Sequence, residues 1–179
     1  MAMPRIPYQP ADLKQPAELV AAIRARRGGQ LLNLDRMLLH SPPLAAGWNA
    51  HLRAVRTELA LDPKLRELAM CVVAVLNGAE YEFHHHAPEF VGAGGTAAQV
   101  RALRDPDTAR DDAALFDSTE RAALALAIEM TRNVRVSDAT FDAVRGALGD
   151  RCTVELVGTI ATYNMVSRFL VALGVELED

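Results

Sequence analysis

The feature that most constrains this chain is the stretch Leu65–Gly95, LRELAMCVVAVLNGAEYEFHHHAPEFVGAGG. Leu68–Leu76 is apolar without a break. A segment like that has to be buried on most sides. Yet it is entered at Glu67 and left through Glu80, Tyr81, Glu82, His84, His85 and His86. Carboxylates and imidazoles set against a core are costly unless they are paired or put to use. Asp62 and Pro63 form a helix start, and Asn77-Gly78 a helix stop. A second helix, Ala79–Val91, then has to fold back as an αα-hairpin, because so short a connection allows little else. Gly92, Gly94 and Gly95 end it.

The other segments read as helical scaffold. Half of the 179 residues are hydrophobic, many of them Ala and Leu, and only 5% are aromatic. That mix favours packed helices over a sheet. The expectation is one all-α domain over residues 16–179, of eight or nine helices, behind an irregular proline-rich arm at Met1–Gln15. Helices are expected at Ala17–Arg27, Leu31–His40, Leu44–Leu59, Ala97–Leu103, from about Ser118 to Thr131, at Ala139–Leu148 and from about Arg151 to Leu173. Asp105-Pro106-Asp107 reads as a loop. Leu44, Trp48, Leu52, Val55 and Leu59 share one face, the spacing of a helix turned towards a core.

Charge and cysteine content narrow the function classes. The net charge is −4 with no basic stripe, which argues against nucleic acid. The longest apolar run is nine residues, and a bilayer needs about 20. The start, MAMPRIPYQP, is unlike a signal peptide. Cys71 and Cys152 lie far apart in apolar helical patterns and read as reduced, buried thiols. A cytoplasmic protein with a small-molecule substrate, and neither a membrane nor a nucleic-acid partner, is the expectation.

Spacing places the ionisable groups. Glu82 and His86 are four residues apart on one helix and should meet. His85 and Glu89 form a second such pair. Glu67 lies on the preceding antiparallel helix, and hairpin geometry decides whether it faces them. A carboxylate beside an imidazole can tune an acid/base pair, join a metal site, or merely satisfy a buried polar group. Three consecutive histidines point in three directions, so His84-His85-His86 alone is a weak metal signal. A site of Glu82, His85 and His86 stays open as the metal alternative to no metal at all. Tyr163 and Asn164 are polar groups in the apolar stretch ATYNMVSRFL and need partners if buried.

Several of these residues also carry a family resemblance. Arg66-Glu67-Leu68, then Asn77-Gly78-Ala79-Glu80-Tyr81-Glu82-Phe83, then His86 and the glycines after it resemble the signature hairpin of the carboxymuconolactone decarboxylase/AhpD-like superfamily. The closing segment Tyr163–Leu170 is similar to the last helix of its longer members. The resemblance implies an AhpD-like helical bundle built round the hairpin, and a homo-oligomer (dimer, trimer or hexamer). Peroxidase-type members carry a CxxC pair on the hairpin, between the glutamate that corresponds to Glu67 and the histidine that corresponds to His86. This chain has Ala79 and Glu82 at the two cysteine positions. Without thiols there, an alkylhydroperoxidase-like antioxidant reaction is disfavoured. The resemblance implies instead a lyase of aromatic-compound degradation that needs no cofactor. It would act on a small acidic lactone or related metabolite, with Glu67, Glu82 and His86 as catalytic groups. Tyr81, His85, Tyr163 and Asn164 would line the substrate. A non-catalytic oligomeric relative is the remaining alternative.

Overall fold

The computed structural model describes residues 4–178. Among them the regular secondary structure is all helix, with no strand. The elements are α1 (Ala17–Arg26), α2 (Asn33–Leu38), α3 (Pro42–Thr57), α4 (Pro63–Leu76), α5 (Glu80–Gly92), α6 (Ala97–Ala102), α7 (Pro106–Asp111), α8 (Ser118–Asn133) and α9 (Asp138–Leu173). Helix α9 is broken at Gly149, whose φ of 72° and ψ of 171° leave the helical region. The two helices expected on either side of that glycine are its two halves.

Two compact units divide the chain. One is the described part of Met1–Glu58 with Leu170–Asp179. In it the arm is irregular as far as it is described, and residues 1–3 lie outside the described residues. The arm is strapped to its own unit. The Arg24 guanidinium donates to the Ala11 carbonyl at 2.7 Å, and Arg36 donates to that of Gln9 at 2.6 Å. Tyr8 Oη accepts from the Glu176 amide at 2.9 Å. Trp48, Leu52 and Val55 on α3 are buried, as their spacing predicts, but Leu44 in its first turn is exposed and Leu59 lies past its end and is half-buried.

The other unit, Leu59–Phe169, is built on α4. From Leu68 to Ala74 this helix has essentially no exposed surface. It packs along α5 on one side and α8 on another. Asp62 caps it by accepting from the Lys64 amide at 2.7 Å, and Pro63 occupies the first turn, where a missing N–H costs nothing. Its end is a Schellman motif. The Ala79 amide reaches back to the Ala74 carbonyl at 2.8 Å and that of Gly78 to Val75 at 3.1 Å. Gly78 is left-handed, φ 64°. The far end of α5 repeats the device: Gly95 donates to the Phe90 carbonyl at 2.8 Å and Gly94 to Val91 at 3.1 Å. Thr96 with Gln99 and Asp117 with Glu120 make capping boxes that start α6 and α8.

One element departs from expectation. The segment read as a loop at 105–107 starts α7. Asp105 accepts from the Thr108 amide at 3.3 Å and Pro106 takes the first helical position. Asp-Pro is both a turn signal and a cap-plus-first-turn signal, and the short run after it does not separate the two. A second departure concerns α9. It is long and apolar enough to cross a membrane by length and composition, and 44% of its most apolar window is buried. Its inward side, Leu156, Ile160, Tyr163 and Val166, is core.

Candidate active site at the hairpin

His86 is the centre of the site. It lies on the side of α5 that faces α4 and is 2% exposed. Its Nδ1 lies 2.6 Å from Glu67 Oε2, on α4, and its Nε2 lies 3.3 Å from Glu82 Oε2, one turn back on α5. Both carboxylates are themselves buried, at 4% each. The antiparallel hairpin brings Glu67 to the imidazole, a contact that helical spacing alone cannot supply. The i, i+4 relation brings Glu82. Arg66, half-buried beside Glu67, donates from Nε to Glu67 Oε1 at 3.2 Å. The result is a continuous run, Arg66–Glu67–His86–Glu82, inside the core.

An imidazole between two carboxylates has a donor for each when it is protonated. Burial opposes the charge and is the largest single effect. The hydrogen bonds and charges of Glu67 and Glu82 together outweigh it, and the pKa of His86 is raised above its usual value. His86 is therefore held as an imidazolium further into neutral pH than a free histidine. The edge of one ring meets the face of the other where His86 and Tyr163 pack, with centroids 4.9 Å apart and planes at 87°. Tyr163 is 1% exposed, so the imidazole is fixed from the α9 side as well.

The other expected site residues separate into groups. Of the three histidines, only His86 is buried; His84 is exposed and His85 half-buried. His85 turns Nδ1 to the Tyr81 carbonyl at 2.8 Å, and its ring lies 4.5 Å from the Tyr81 ring. Tyr81 and His85 thus pair with each other along α5. Among the described residues, no group of three or more His, Cys, Asp or Glu is arranged to hold a metal ion, Glu82, His85 and His86 included. Asn164 accepts from Asn77 at 3.1 Å and donates to Thr131 Oγ1 and to the Ile160 carbonyl, both at 3.0 Å. It stitches the hairpin turn to α8 and α9, whereas its neighbour Tyr163 meets His86. Glu80, in the same polar cluster of the sequence, forms a bidentate surface pair with Arg104 at 2.6 and 2.8 Å.

The cysteine positions of the peroxidase pattern hold no sulfur. Ala79 is buried in the hairpin turn, and Glu82 is the carboxylate on His86. The nearby thiol, Cys71, lies one turn beyond Glu67 on α4 and is fully buried. Burial, then the Glu67 charge, pushes its pKa far up, so it stays a neutral thiol. The residue that sequence reasoning left without a place is Arg66. Its adjacency to Glu67 was visible, but neighbours in a helix usually point apart.

The model of the carboxymuconolactone decarboxylase family matches residues 42–129, from the start of α3 into α8. No curated protein matched the sequence. A peroxidase-related protein of Silicibacter sp. TM1040 is 20% identical, with a TM-score of 0.81 over 99% of this chain and 95% of its own. A second peroxidase-related protein with an AhpD core, from Ralstonia eutropha JMP134, is 17% identical, with a TM-score of 0.82 over 100% and 94%. The debrominase Bmp8, in complex with 2,3,4-tribromopyrrole, is 18% identical, with a TM-score of 0.79 over 99% and 93%. At these identities the solved structures speak for the fold, and the fold is theirs along essentially the whole chain. The family match across the hairpin places this chain in the carboxymuconolactone decarboxylase/AhpD-like superfamily, and these structures share its fold.

Proposed function

We propose that this protein is an acid/base enzyme of the decarboxylase type, acting in a reduced cytoplasm on a small acidic lactone or a related metabolite. One observation carries the reading: a buried imidazole bridges two carboxylates where a thiol chemistry would need two sulfurs. The relay has an order. Arg66 and Glu67 fix one side of His86, and Glu82 is its terminal member. As the substrate carboxylate leaves as carbon dioxide, its electron pair passes to carbon and delocalises onto the lactone carbonyl. A proton must then reach that carbon. The Nε2 proton of His86 passes to Glu82 across the 3.3 Å contact and from Glu82 to that carbon, leaving a neutral imidazole that is recharged by a proton from water. Tyr163 holds the ring in plane for this transfer.

The names of the structural relatives, peroxidase-related and debrominase, are not carried over. Their likeness is one of fold, and chemistry resides in the site. The test is turnover of γ-carboxymuconolactone, followed by lactone loss and carbon dioxide release, with peroxide consumption measured alongside. Decarboxylation that a folded His86→Ala variant loses is the expected result. An inert wild type on the lactone removes this substrate, and peroxide turnover that survives His86→Ala and Cys71→Ala removes the acid/base reading.

A further inference from the structure

His86 Nδ1 and Glu67 Oε2 meet at 2.6 Å. One proton lies in that contact, and it can belong to either side. On His86 it makes an imidazolium beside a carboxylate. On Glu67 it makes a neutral imidazole beside a carboxylic acid. The choice decides what the other ring nitrogen can do. The Nε2–H of an imidazolium is an acid near neutral pH, whereas that of a neutral imidazole is not. Burial favours the neutral pair, because two charges away from water are costly. His86 is 2% exposed and Glu67 4%.

Arg66 acts against that preference. Its Nε donates to Glu67 Oε1 at 3.2 Å, the carboxylate oxygen not turned to His86. Successive helical positions are about 100° apart, so this side chain bends round α4 to its neighbour instead of running out to water. It is 15% exposed. A guanidinium keeps its charge at every working pH. Bonded to Glu67 and not to the imidazole beyond it, it favours the carboxylate more than it opposes the imidazolium. Charge then alternates along the run, from Arg66 through Glu67 and His86 to Glu82. Of the other titratable groups against the pair, Cys71 on α4 is a neutral thiol and adds no charge. Tyr163 on α9 meets the imidazole with its ring.

We propose that Arg66 is a positioning residue that keeps the shared proton on His86 Nδ1, so that the Nε2 proton is the one released to Glu82. In that step the Nε2–H bond breaks, an O–H bond forms on Glu82, and the ring is left neutral with its Nδ1 proton still turned to Glu67. The role rests on the acid/base reading of the site, but the place of the proton is legible without any substrate.

The test is the ring nitrogen-15 spectrum of His86 in the labelled full chain, without substrate, at about pH 6, below the raised pKa of the ring. His86→Gln assigns the signals, and circular dichroism checks that each variant is folded. Wild type should show both ring nitrogens protonated. Arg66→Met, which keeps much of the bulk, should show Nε2 protonated and Nδ1 bare, the proton having passed to Glu67. Arg66→Lys, which keeps the charge, should restore the Nδ1 proton. On a substrate that turns over, Arg66→Met should lower kcat about tenfold or more and leave KM little changed. A bare Nδ1 in the wild type overturns the proposal, and so does a folded Arg66→Met whose ring stays doubly protonated. Turnover of the lactone by wild type bears on the decarboxylase reading alone, and the ring spectrum decides this one.

Discussion

At the scale of single residues, the site is a run of buried groups in which each supplies the next with a partner. Glu67 and Glu82 raise the pKa of His86 against the effect of burial, and both carboxylates tolerate burial because His86 and Arg66 are within reach. Removing one member leaves a buried charge without its partner, which costs several kcal/mol. Substitutions should therefore be isosteric. Glu82→Gln keeps the shape and removes the proton carrier, so turnover of an active substrate should fall about 100-fold or more in protein whose circular dichroism shows it still folded. Wild-type kcat should decline as pH rises through the raised His86 pKa, and Glu82→Gln should move that decline to lower pH. A decline that stays in place would separate Glu82 from the titration of His86. The two thiols give a second prediction. Cys71 has no exposed surface and a thiol pushed far above its usual pKa, while Cys152 is half-buried. Ellman's reagent on native protein should titrate Cys152 and spare Cys71, and both should react in denaturant. Fast reaction of two thiols in the native state would contradict the burial of α4.

At the scale of elements, the hairpin depends on two glycine-ended helices. Gly78 is left-handed, so Gly78→Ala should cost about 1–2 kcal/mol. Gly95 matters for another reason. A Cβ there would lie 2.5–2.7 Å from the Phe90 ring, which has no exposed surface to retreat into. Gly95→Ala should cost about 1–3 kcal/mol by overpacking and lower Tm by several degrees. Gly92→Ala, with open space around it, is the control and should not lower Tm. Much of this element was legible beforehand. The apolar run of α4, the Asp-Pro start, the Asn-Gly stop and the Glu82–His86 spacing are local signals. Less was legible where three-dimensional geometry decides. The contact of Glu67 with His86 depends on the rotation of α4 against α5. Which of three adjacent histidines points inward depends on which face of α5 the core covers. Tyr163 and Asn164 are adjacent in sequence yet serve different networks, because consecutive helical positions are about 100° apart. Helix α7 is too short for periodicity to separate it from the turn that Asp105-Pro106 also signals.

At the scale of the whole molecule, a buried imidazolium ties the site to stability. The folded state raises the pKa of His86 above the value near 6.5 of an unfolded chain. Folding therefore takes up protons around neutrality. The stabilisation from this charge is fully present below about pH 6.5. It is lost as pH rises through the folded pKa, where the imidazole becomes neutral between two carboxylates. Thermal or urea unfolding followed from pH 6 upward should show stability falling across that window. Glu82→Gln removes one of the two carboxylates that raise the pKa, so its loss should begin at lower pH than in the wild type. Proton uptake on folding, measured by calorimetry in buffers of different ionisation enthalpy, should shrink in the variant. Stability that is flat across this range in both proteins would mean that His86 is neutral in the folded state. The relay would then lack the proton that its proposed chemistry delivers.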